Sequence, residues 1–262
     1  MSLLPNDIPD ADLPERLGEA LEGLYSGPAR LPAKTGGRTA ALEHLRAFDP
    51  KYYAGRNHLE GNVSGLSPYL RHGMLTLPEV ARTIRTFRKG KDRDELLRQL
   101  TWREFFYRVL EQEGEAKVLD NLEAPKIPVR WRDEIPDDLR EARTGLPCVD
   151  AWASRLVLEG YLHNHERLWF AAYWVHWRKL HWKAGYRFFR EHLLDGDVAS
   201  NALSWQWVAS TFSHKPYIMN QHNIERYSAG RWCRGCTATC PFDAPYEDLE
   251  RKLFGAAQPE RG

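Results

Sequence analysis

Two aspartates and an asparagine stand close together in the segment LLDGDVASNALSWQW. Asp195 and Asp197 are two residues apart, Asn201 follows them, and Trp205 and Trp207 come next. These side chains could ligate Ca²⁺, but the segment lacks the bidentate Glu and the regular oxygen spacing of a calcium loop. The alternative is a helix-capping Asp-Gly-Asp turn, and the tryptophans that follow weaken that interpretation.

A second polar group lies in the segment GYLHNHERLWF. His163, Asn164, His165 and Arg167 stand at the start of a Trp-rich helical stretch. His163 and Arg167 share a helix face because they are four residues apart. Paired histidines suggest a metal site, yet no acidic third ligand has the zincin spacing. A polar helix end that faces a cofactor is favoured, and a helix end bonded to its own loops is the alternative.

A third group lies at a predicted helix start in NVSGLSPYLRHG. Either Ser64 or Ser67 can cap this helix, and Pro68 occupies its first turn. The missing N–H of a proline loses no hydrogen bond at that position. Backbone N–H groups at such an end can bind an anion, although the same residues also make an ordinary cap. The segment is not a P-loop, because Gly61 and Gly65 are not followed by Gly-Lys-Ser/Thr.

Three of the four cysteines cluster near the end of the sequence. Cys233, Cys236 and Cys240 form the pattern C-x-x-C-x-x-x-C-P, and Cys148 is the remaining one. Clustered thiols in a cytosolic protein suggest metal or iron–sulfur ligation rather than disulfides. A four-iron cluster needs four ligands, which Cys148 would complete. Zinc on the same thiolates and unligated thiols are the alternatives.

The elements that must position these groups are predicted to be helices. Apolar residues recur at helical spacing from Arg38 onward, and no stretch alternates with period two for long. Without a βαβ signature or an internal repeat, the sequence predicts an all-α domain with long functional loops. Residues 1–35 are predicted to be an arm that precedes this domain at 36–262. The helices predicted are 13–24, one from Arg38, one from Ser64 or Ser67, 77–87, 94–112, 149–159, 165–182, 184–194 and 246–254.

The amino-acid composition further limits the class of protein to which the chain can belong. The chain has 262 residues, 42% hydrophobic and 28% charged, as in ordinary globular proteins. A net charge of +1 gives no argument for a polyanion partner, so any basic surface must come from local segregation. No apolar stretch approaches the roughly 20 residues that cross a bilayer, and the N-terminus has no signal-peptide pattern. We therefore expect a cytoplasmic protein without a membrane span.

Tryptophan is unusually frequent. All ten tryptophans lie between Trp102 and Trp232. Core packing is the ordinary explanation for a buried tryptophan, and it is favoured for Trp152, Trp169, Trp174 and Trp177, which recur at helical spacings. The others need a further explanation.

Several of these segments, in this order, resemble the FAD-binding domain of the photolyase/cryptochrome family. The matching motifs are GGRTAALEHLRAF, YYAGRN, SGLSPYLRHG, QLTWREFF, RTGLPCVDA, GYLHNHERL, HWKAGYRFFREHLLDGDVASNALSWQW and KPY, from about Gly36 to Phe254. The resemblance implies a helical FAD-binding domain without the family's N-terminal α/β antenna domain, which 35 residues cannot build. The C-terminal run SHKPYIMNQHNIERYSAGRWCRGC and the cysteine of TGLPC resemble the bacterial members that hold a four-iron cluster.

The resemblance implies a set of FAD-binding residues. Tyr52, Ser64, Leu66 and Ser67 match the positions that hold the pyrophosphate and ribitol. Arg167 and Asp195 match the salt-bridged pair beside the isoalloxazine. Asp197 matches the carboxylate near the flavin ring, and Asn201 matches the residue that faces N5. Val63 replaces a Thr and Gly65 an Arg in this segment.

The resemblance also implies groups that hold a flipped pyrimidine dimer. Gln99, which replaces the usual Glu, and Trp102 and Trp207 match these groups, and Leu168 stands where Met is usual. Aromatic stacking of a base is worth on the order of 1–3 kcal/mol. Asn164 matches the position where relatives that repair (6-4) photoproducts carry a His, so it favours the cyclobutane dimer as substrate.

The resemblance finally implies residues for electron transfer and for metal binding. Trp205, Trp182 and Trp131 match the chain of three tryptophans that reduces the flavin. Cys148, Cys233, Cys236 and Cys240 match the ligands of a 4Fe-4S cluster.

The expected function is light-driven repair of cyclobutane pyrimidine dimers by a monomer that binds UV-damaged DNA, single- or double-stranded. Electron transfer from excited reduced FAD would split the dimer. A cryptochrome-like blue-light or redox sensor and a (6-4) photolyase are the alternatives. If the protein binds DNA, its basic residues are expected to lie on one face. Acidic segments at 133–141 and 247–250 would then account for the near-zero net charge of the chain. The candidates for this face are Arg98, Arg103, Arg108, Lys179, Lys183, Arg187, Arg190, Lys215 and Arg226.

Overall fold

The computed structural model describes residues 8–9, 11–24, 34–127 and 129–255. The predicted arm at 1–35 lies only partly within these ranges. The chain divides into two compact units, Met1–Gly36 and Gly37–Gly262. In the first unit, α1 spans Leu13–Ala20.

The second unit is helical, as the sequence predicts. Within the described ranges its only β-type pairing is an isolated bridge between Arg132 and Leu180. A short 3-10 turn (Tyr53–Gly55) and a π-helical turn (Tyr173–Trp177) interrupt the α-helices. The helices are α2 (Arg38–Ala47), α3 (Ser67–Arg71), α4 (Leu77–Thr86), α5 (Lys91–Glu113), α6 (Glu115–Val118), α7 (Asp137–Arg140), α8 (Pro147–Glu159), α9 (Asn164–Ala172), α10 (Trp182–His192), α11 (Val198–Ala209), α12 (Gln221–Tyr227) and α13 (Tyr246–Phe254).

Tryptophans form the centre of the main hydrophobic core. Trp152, Trp169, Trp174, Trp182 and Trp205 are buried together with apolar residues of α8 to α11 and the π-helical turn. Core packing therefore accounts for much of the tryptophan excess. It also accounts for three of the four tryptophans for which the helical spacing favoured packing.

A second apolar cluster joins α2, α3 and α4 to the first half of α5. Leu45, Leu66, Ile84 and Leu96 are among its buried members. The second half of α5 packs against the main core instead, through residues such as Phe106. A helix of 23 residues is about 35 Å long, which lets α5 contact both clusters.

The helix predicted at 165–182 ends earlier than expected, and the helix predicted at 184–194 is observed as α10. The α9 helix ends at Ala172 and widens into the π-helical turn. Lys179 then adopts a left-handed backbone conformation, with φ of 52°, and the His181 side chain accepts from the Lys183 N–H to start α10. These local features separate the two helices by more residues than the apolar pattern predicted.

The helix α11 was not predicted, although it carries three of the candidate site residues, Asn201, Trp205 and Trp207. Eight of its twelve residues are buried, so its sequence is apolar on nearly every side and shows no amphipathic period. The Asp197 side chain caps its start by accepting from the Ser200 N–H. None of the helices in the described ranges combines the length and apolar character needed to cross a bilayer.

Candidate functional site

A cavity of about 290 Å³ lies among α3, α5, α9 and α11. Its wall combines apolar side chains with a few polar groups, which is the usual composition of a small-molecule site. The predicted site residues on this wall are Ser64, Leu66, Ser67, Gln99, Trp102, Asn164, Arg167, Leu168, Asp195, Asn201 and Trp205. Residues that lie far apart in the sequence thus meet at one cavity.

A buried ion pair forms one side of the cavity. The Arg167 guanidinium makes two parallel hydrogen bonds to the Asp195 carboxylate, each 3.0 Å long, and Ser67 Oγ donates to the same carboxylate at 2.5 Å. Burial alone would raise the pKa of Asp195, but the Arg167 charge and these hydrogen bonds outweigh it and lower the pKa. Arg167 Nε also donates to the Leu162 carbonyl, so the pair is held firmly in place.

Asn201 offers a hydrogen-bond acceptor to the cavity. Its Nδ2 donates to the Tyr186 carbonyl at 3.0 Å. A carbonyl accepts only, so the amide must present its NH₂ group to Tyr186. The side-chain oxygen of this buried residue is then available to a ligand in the cavity.

Asp197, which is matched to a carboxylate near the flavin ring, is buried beside residues of the cavity wall. It caps α11, and its Oδ2 lies 3.2 Å from Arg103 Nη1 in an ion pair. Arg103 lines the cavity, and its other terminal nitrogen donates to the Tyr107 hydroxyl at 3.0 Å. Asp197 is not among the residues of the wall. The carboxylate thus neutralises a cation of the wall rather than facing the cavity itself.

The motif YYAGRN was used to predict that Tyr52 binds the cofactor, but in the structure it is Tyr53 that lines the cavity. The backbone of Tyr52 is left-handed, with φ of 66°, and 69% of the residue is exposed. The Asp92 carboxylate fixes this turn by accepting from the backbone N–H groups of Tyr52 and Ala54. Tyr53 is therefore turned inward, where burial raises its pKa to about 12.

A carboxylate that the motifs did not indicate positions Gln99. Glu95 accepts from Gln99 Nε2 at 2.9 Å and from Arg56 Nε at 3.0 Å, and it also pairs with Arg98. Because a carboxylate accepts only, the Gln99 side chain must present its NH₂ group to Glu95. Its carbonyl oxygen then remains for a ligand. Glu95 stands one helical turn before Gln99, which is the sequence signal that could have revealed it.

The predicted lesion-binding residues do not all share the cavity. Trp102, Asn164 and Leu168 line it with Gln99, and Trp102 is 50% exposed. Trp207 is absent from the wall; its exposed ring packs against Tyr217, with centroids 5.3 Å apart. The structure therefore brings one of the two predicted stacking tryptophans to the cavity.

The three predicted electron-transfer tryptophans have different neighbours. Trp205 lines the cavity and makes an edge contact with Trp174 at 5.9 Å. Trp182 and Trp131 both contact the His181 ring, at 5.8 and 4.8 Å. The Trp205 ring also packs directly on Gly185, where an added Cβ would lie 2.2 Å from it.

The four cysteines line a second, much smaller cavity. Its volume is about 30 Å³, and Trp232 also lines it. All four thiols are free, and burial raises the pKa of Cys148 to about 12 and that of Cys233 to about 11. Across the described ranges no three His, Cys, Asp or Glu side chains stand in a metal-binding arrangement. The thiols as placed therefore do not form a site for a single metal ion.

Most of the predicted basic face already has partners. Lys183 pairs with Asp120 at 2.7 Å, and Arg103 pairs with Asp197. Lys179 Nζ donates to the Leu253 carbonyl, and Arg190 donates to the Tyr186 hydroxyl. The sequence contains these charges, whereas the fold decides which of them are paired with a carboxylate, as Lys183 and Arg103 are.

Comparisons with known proteins agree with this arrangement. Residues 96–231 match the family described as the FAD binding domain of DNA photolyase. The deoxyribodipyrimidine photo-lyase of Streptomyces griseus is 34% identical over 79% of this chain and 45% of its own length. Cryptochrome-2 of Gallus gallus is 33% identical over 74% of this chain and 35% of its own length.

A solved structure gives the same result for the fold. A bacterial class III photolyase from Agrobacterium tumefaciens matches with a TM-score of 0.70 and 27% identity, over 84% of this chain and 51% of its own. The chain thus spans about half the length, or less, of these relatives. Together, the matched residues, the helical fold and the sequence identity show that the chain belongs to the photolyase/cryptochrome family.

Proposed function

We propose that this protein splits cyclobutane pyrimidine dimers in UV-damaged DNA in a light-driven reaction that uses FAD. One observation carries the proposal: the residues matched to the cofactor and those matched to the lesion line the same cavity. Arg167, Asp195 and Asn201 represent the first set, and Trp102 and Asn164 the second. A cofactor and a substrate that share one cavity can exchange an electron over a short distance.

The wall fits a flavin in its chemistry. Asn201 keeps an acceptor oxygen toward the cavity, and Ser64 and Ser67 stand at the start of α3, as expected for residues that hold a pyrophosphate. The Arg167–Asp195 pair supplies a fixed, net-neutral polar surface beside them. When bound and reduced, FAD would supply the chemistry by donating an electron to the dimer after absorbing blue light.

Four residues would hold the lesion. The exposed ring of Trp102 offers a stacking surface for a flipped base. Gln99, whose amide is oriented by Glu95, would accept a hydrogen bond through its oxygen. Asn164 and Leu168 complete this part of the wall. Asn164 in place of a His favours a cyclobutane dimer over a (6-4) photoproduct.

Trp205, Trp182 and Trp131 are proposed to carry an electron from the surface toward the cavity. Trp205 supports this role because it is buried and lines the cavity. His181 lies between the other two rings. Replacement of Trp205 by Phe should slow photoreduction of the flavin severely.

We also propose that the enzyme is monomeric and cytoplasmic.

The proposal of a 4Fe-4S cluster rests on the cysteine pattern and on the resemblance of the C-terminal run to the four-iron members of the family. Cys148, Cys233, Cys236 and Cys240 line one small cavity, but the thiols do not form a metal-binding arrangement there. Iron and acid-labile sulfide content of the purified protein tests this part of the proposal. Bound zinc, or no metal at all, would refute the cluster.

A light or redox sensor without repair is the second candidate function. The position of Trp207 outside the cavity favours it, since only one predicted stacking tryptophan reaches the lesion site. Cryptochromes are also among the relatives. A sensor would keep the cofactor and the electron path and would have no use for Gln99 or Trp102.

One experiment separates these functions. Photoreduced protein is illuminated with single- and double-stranded oligonucleotides that contain a thymine dimer, and restored thymines are counted against a dark control. We expect repair by the wild type and a severe loss in Trp102→Ala, with a smaller loss in Trp207→Ala. FAD reduction by light without any restored thymine would reject repair of cyclobutane dimers and favour the sensor.

A further inference from the structure

We propose that the rings of Phe105 and Phe212 form a stacking platform for nucleobases that flank the lesion. The platform lies outside the cavity and is assigned to neither the cofactor nor the dimer. This inference rests on the proposed function, since it takes damaged DNA as the ligand. It extends the DNA contact from the flipped dimer to the bases beside it.

The two rings are arranged for stacking. Phe105 on α5 is 43% exposed. Its ring lies nearly parallel to that of half-buried Phe212, with centroids 6.1 Å apart and an angle of 13° between the planes. Single exposed apolar residues are common at protein surfaces, but a contiguous group of them marks an interaction site.

The platform continues from the mouth of the cavity. Trp102 lines the cavity, lies one helical turn before Phe105, and contacts that ring edge-on at 5.6 Å. Phe106 also lines the cavity and contacts both Phe105 and Phe212. A strand that delivers a dimer to Trp102 would therefore carry its next bases across Phe105.

The charges around the platform favour a nucleic acid strand. Arg98 lies on the same face of α5, and it shares the single Glu95 carboxylate with Arg56, which leaves one positive charge in surplus. His214 and Lys215 are exposed immediately beyond Phe212. Aromatic side chains flanked by cations are the usual means by which proteins bind single strands without sequence preference.

The opposite end of α5 gives the strand a direction. Arg108 there pairs with both Glu104 and Glu111, so that end carries a surplus negative charge. A phosphate backbone would be repelled from it and drawn toward Arg98. A protein partner fits less well, because a stable interface covers on the order of 800 Å² per partner and three or four rings cover far less.

The test compares Phe105→Leu with Phe105→Trp in the full chain. Leucine keeps an apolar side chain but has no π-face, whereas tryptophan keeps the π-face. The probes are a thymine-dimer dinucleotide and a single strand of about fifteen nucleotides with one central thymine dimer. Tyr246→Leu, at an exposed aromatic residue of α13, is the matched control.

We expect Phe105→Leu to weaken binding of the longer strand about 5-fold or more. Phe105→Trp and Tyr246→Leu should bind it like the wild type, and all the proteins should bind the dinucleotide equally. Unchanged circular dichroism and FAD content would show that Phe105→Leu is folded.

Three results would overturn the platform while leaving the proposed function intact. The first is wild-type affinity of Phe105→Leu for the longer strand. The second is an equal loss on the dinucleotide, which would place Phe105 in the lesion site. The third is a wild-type dimer in solution that Phe105→Leu dissociates, which would make the rings a contact between copies. Failure of the wild type to bind either probe would overturn both proposals.

Discussion

The two cavities of the molecule differ in how their polar groups are held. In the large cavity, Arg167, Asp195 and Ser67 are fixed by hydrogen bonds between three separate segments of the chain. In the small one, the cysteines are free thiols, and three of them belong to a stretch of turns between α12 and α13. Charged hydrogen bonds fix the first set without its ligand, whereas the Cys233 thiol makes only a weak contact of 3.8 Å to the Gln221 carbonyl.

This difference indicates how much each cavity must rearrange when a ligand binds. A flavin would meet groups whose positions and charges are already set, so little rearrangement would oppose its binding. A metal would have to organise the thiols itself, because a metal-binding arrangement is missing from the described ranges. The predictions below change one cavity or the other.

The largest effect is expected from Arg167→Ala. The Asp195 carboxylate, which is 7% exposed, would be left buried without its cation. Breaking a buried pair in this way costs about 3–5 kcal/mol of the free energy of unfolding, measured by urea denaturation. Arg143→Ala is the control, because its pair with Glu141 is exposed to solvent and is expected to contribute little to stability. Equal losses in the two variants would mean that the ion pair does not organise the cavity.

The second effect depends on pH and concerns His163, which caps α9 beside the cavity. Burial lowers its pKa to about 4, whereas an unfolded His titrates near 6.5. Between these values the unfolded chain binds more protons, so the free energy of unfolding falls as the pH drops from about 6.5 to 4. The slope from this group is about 1.4 kcal/mol per pH unit.

A variant isolates the contribution of His163 to this slope. His163→Asn keeps a side-chain acceptor at the helix cap and cannot titrate, so the variant should lose stability less steeply over that range. His214→Asn, at an exposed position, is the control, and its free energy of unfolding is measured over the same pH range. Urea denaturation at several pH values measures the slopes, and identical slopes in wild type and His163→Asn would contradict the prediction.

A smaller effect is expected from Gly185→Ala in α10. The new Cβ would lie 2.2 Å from the Trp205 ring, so the ring on the cavity wall must move. Overpacking of this kind costs about 1–3 kcal/mol. Gly55→Ala has no atom within 4 Å of its new Cβ and serves as the control. Urea denaturation measures both, and a neutral Gly185→Ala would show that the Trp205 position is not fixed.

The smallest effect is expected in the cysteine cavity. Cys236 is exposed, and in metal-free protein Cys236→Ser should change the free energy of unfolding by about 0.5 kcal/mol or less. In protein that holds a cluster, the same change should lower the iron content and the stability together. A large loss of stability in metal-free protein would show that the small cavity, like the large one, is organised by the fold.

The sequence predicted more of the fold than of the site. Capping residues and apolar spacing were enough to predict most helices, because these signals are local. The buried helix α11 has no amphipathic period, and the break at Lys179 depends on a backbone conformation that apolar spacing does not encode. Motif matching predicted the salt-bridged pair of Arg167 and Asp195, which the structure contains. Local signals could not have predicted this contact, because it spans 28 residues and depends on the packing of α9 against the turn before α11.

The sequence by itself thus determined the residue types, the local helix caps and the order of the motifs. From these it predicted a helical chain of this family and the positions of its charged, aromatic and thiol groups along the chain. The tertiary structure decided which of these groups face the cavity. It turned Tyr53 inward and Tyr52 outward through Asp92, and it set Asp197 against Arg103. The direction of a side chain and the partner of a charge depend on contacts between distant segments, and such contacts exist only once the helices have packed.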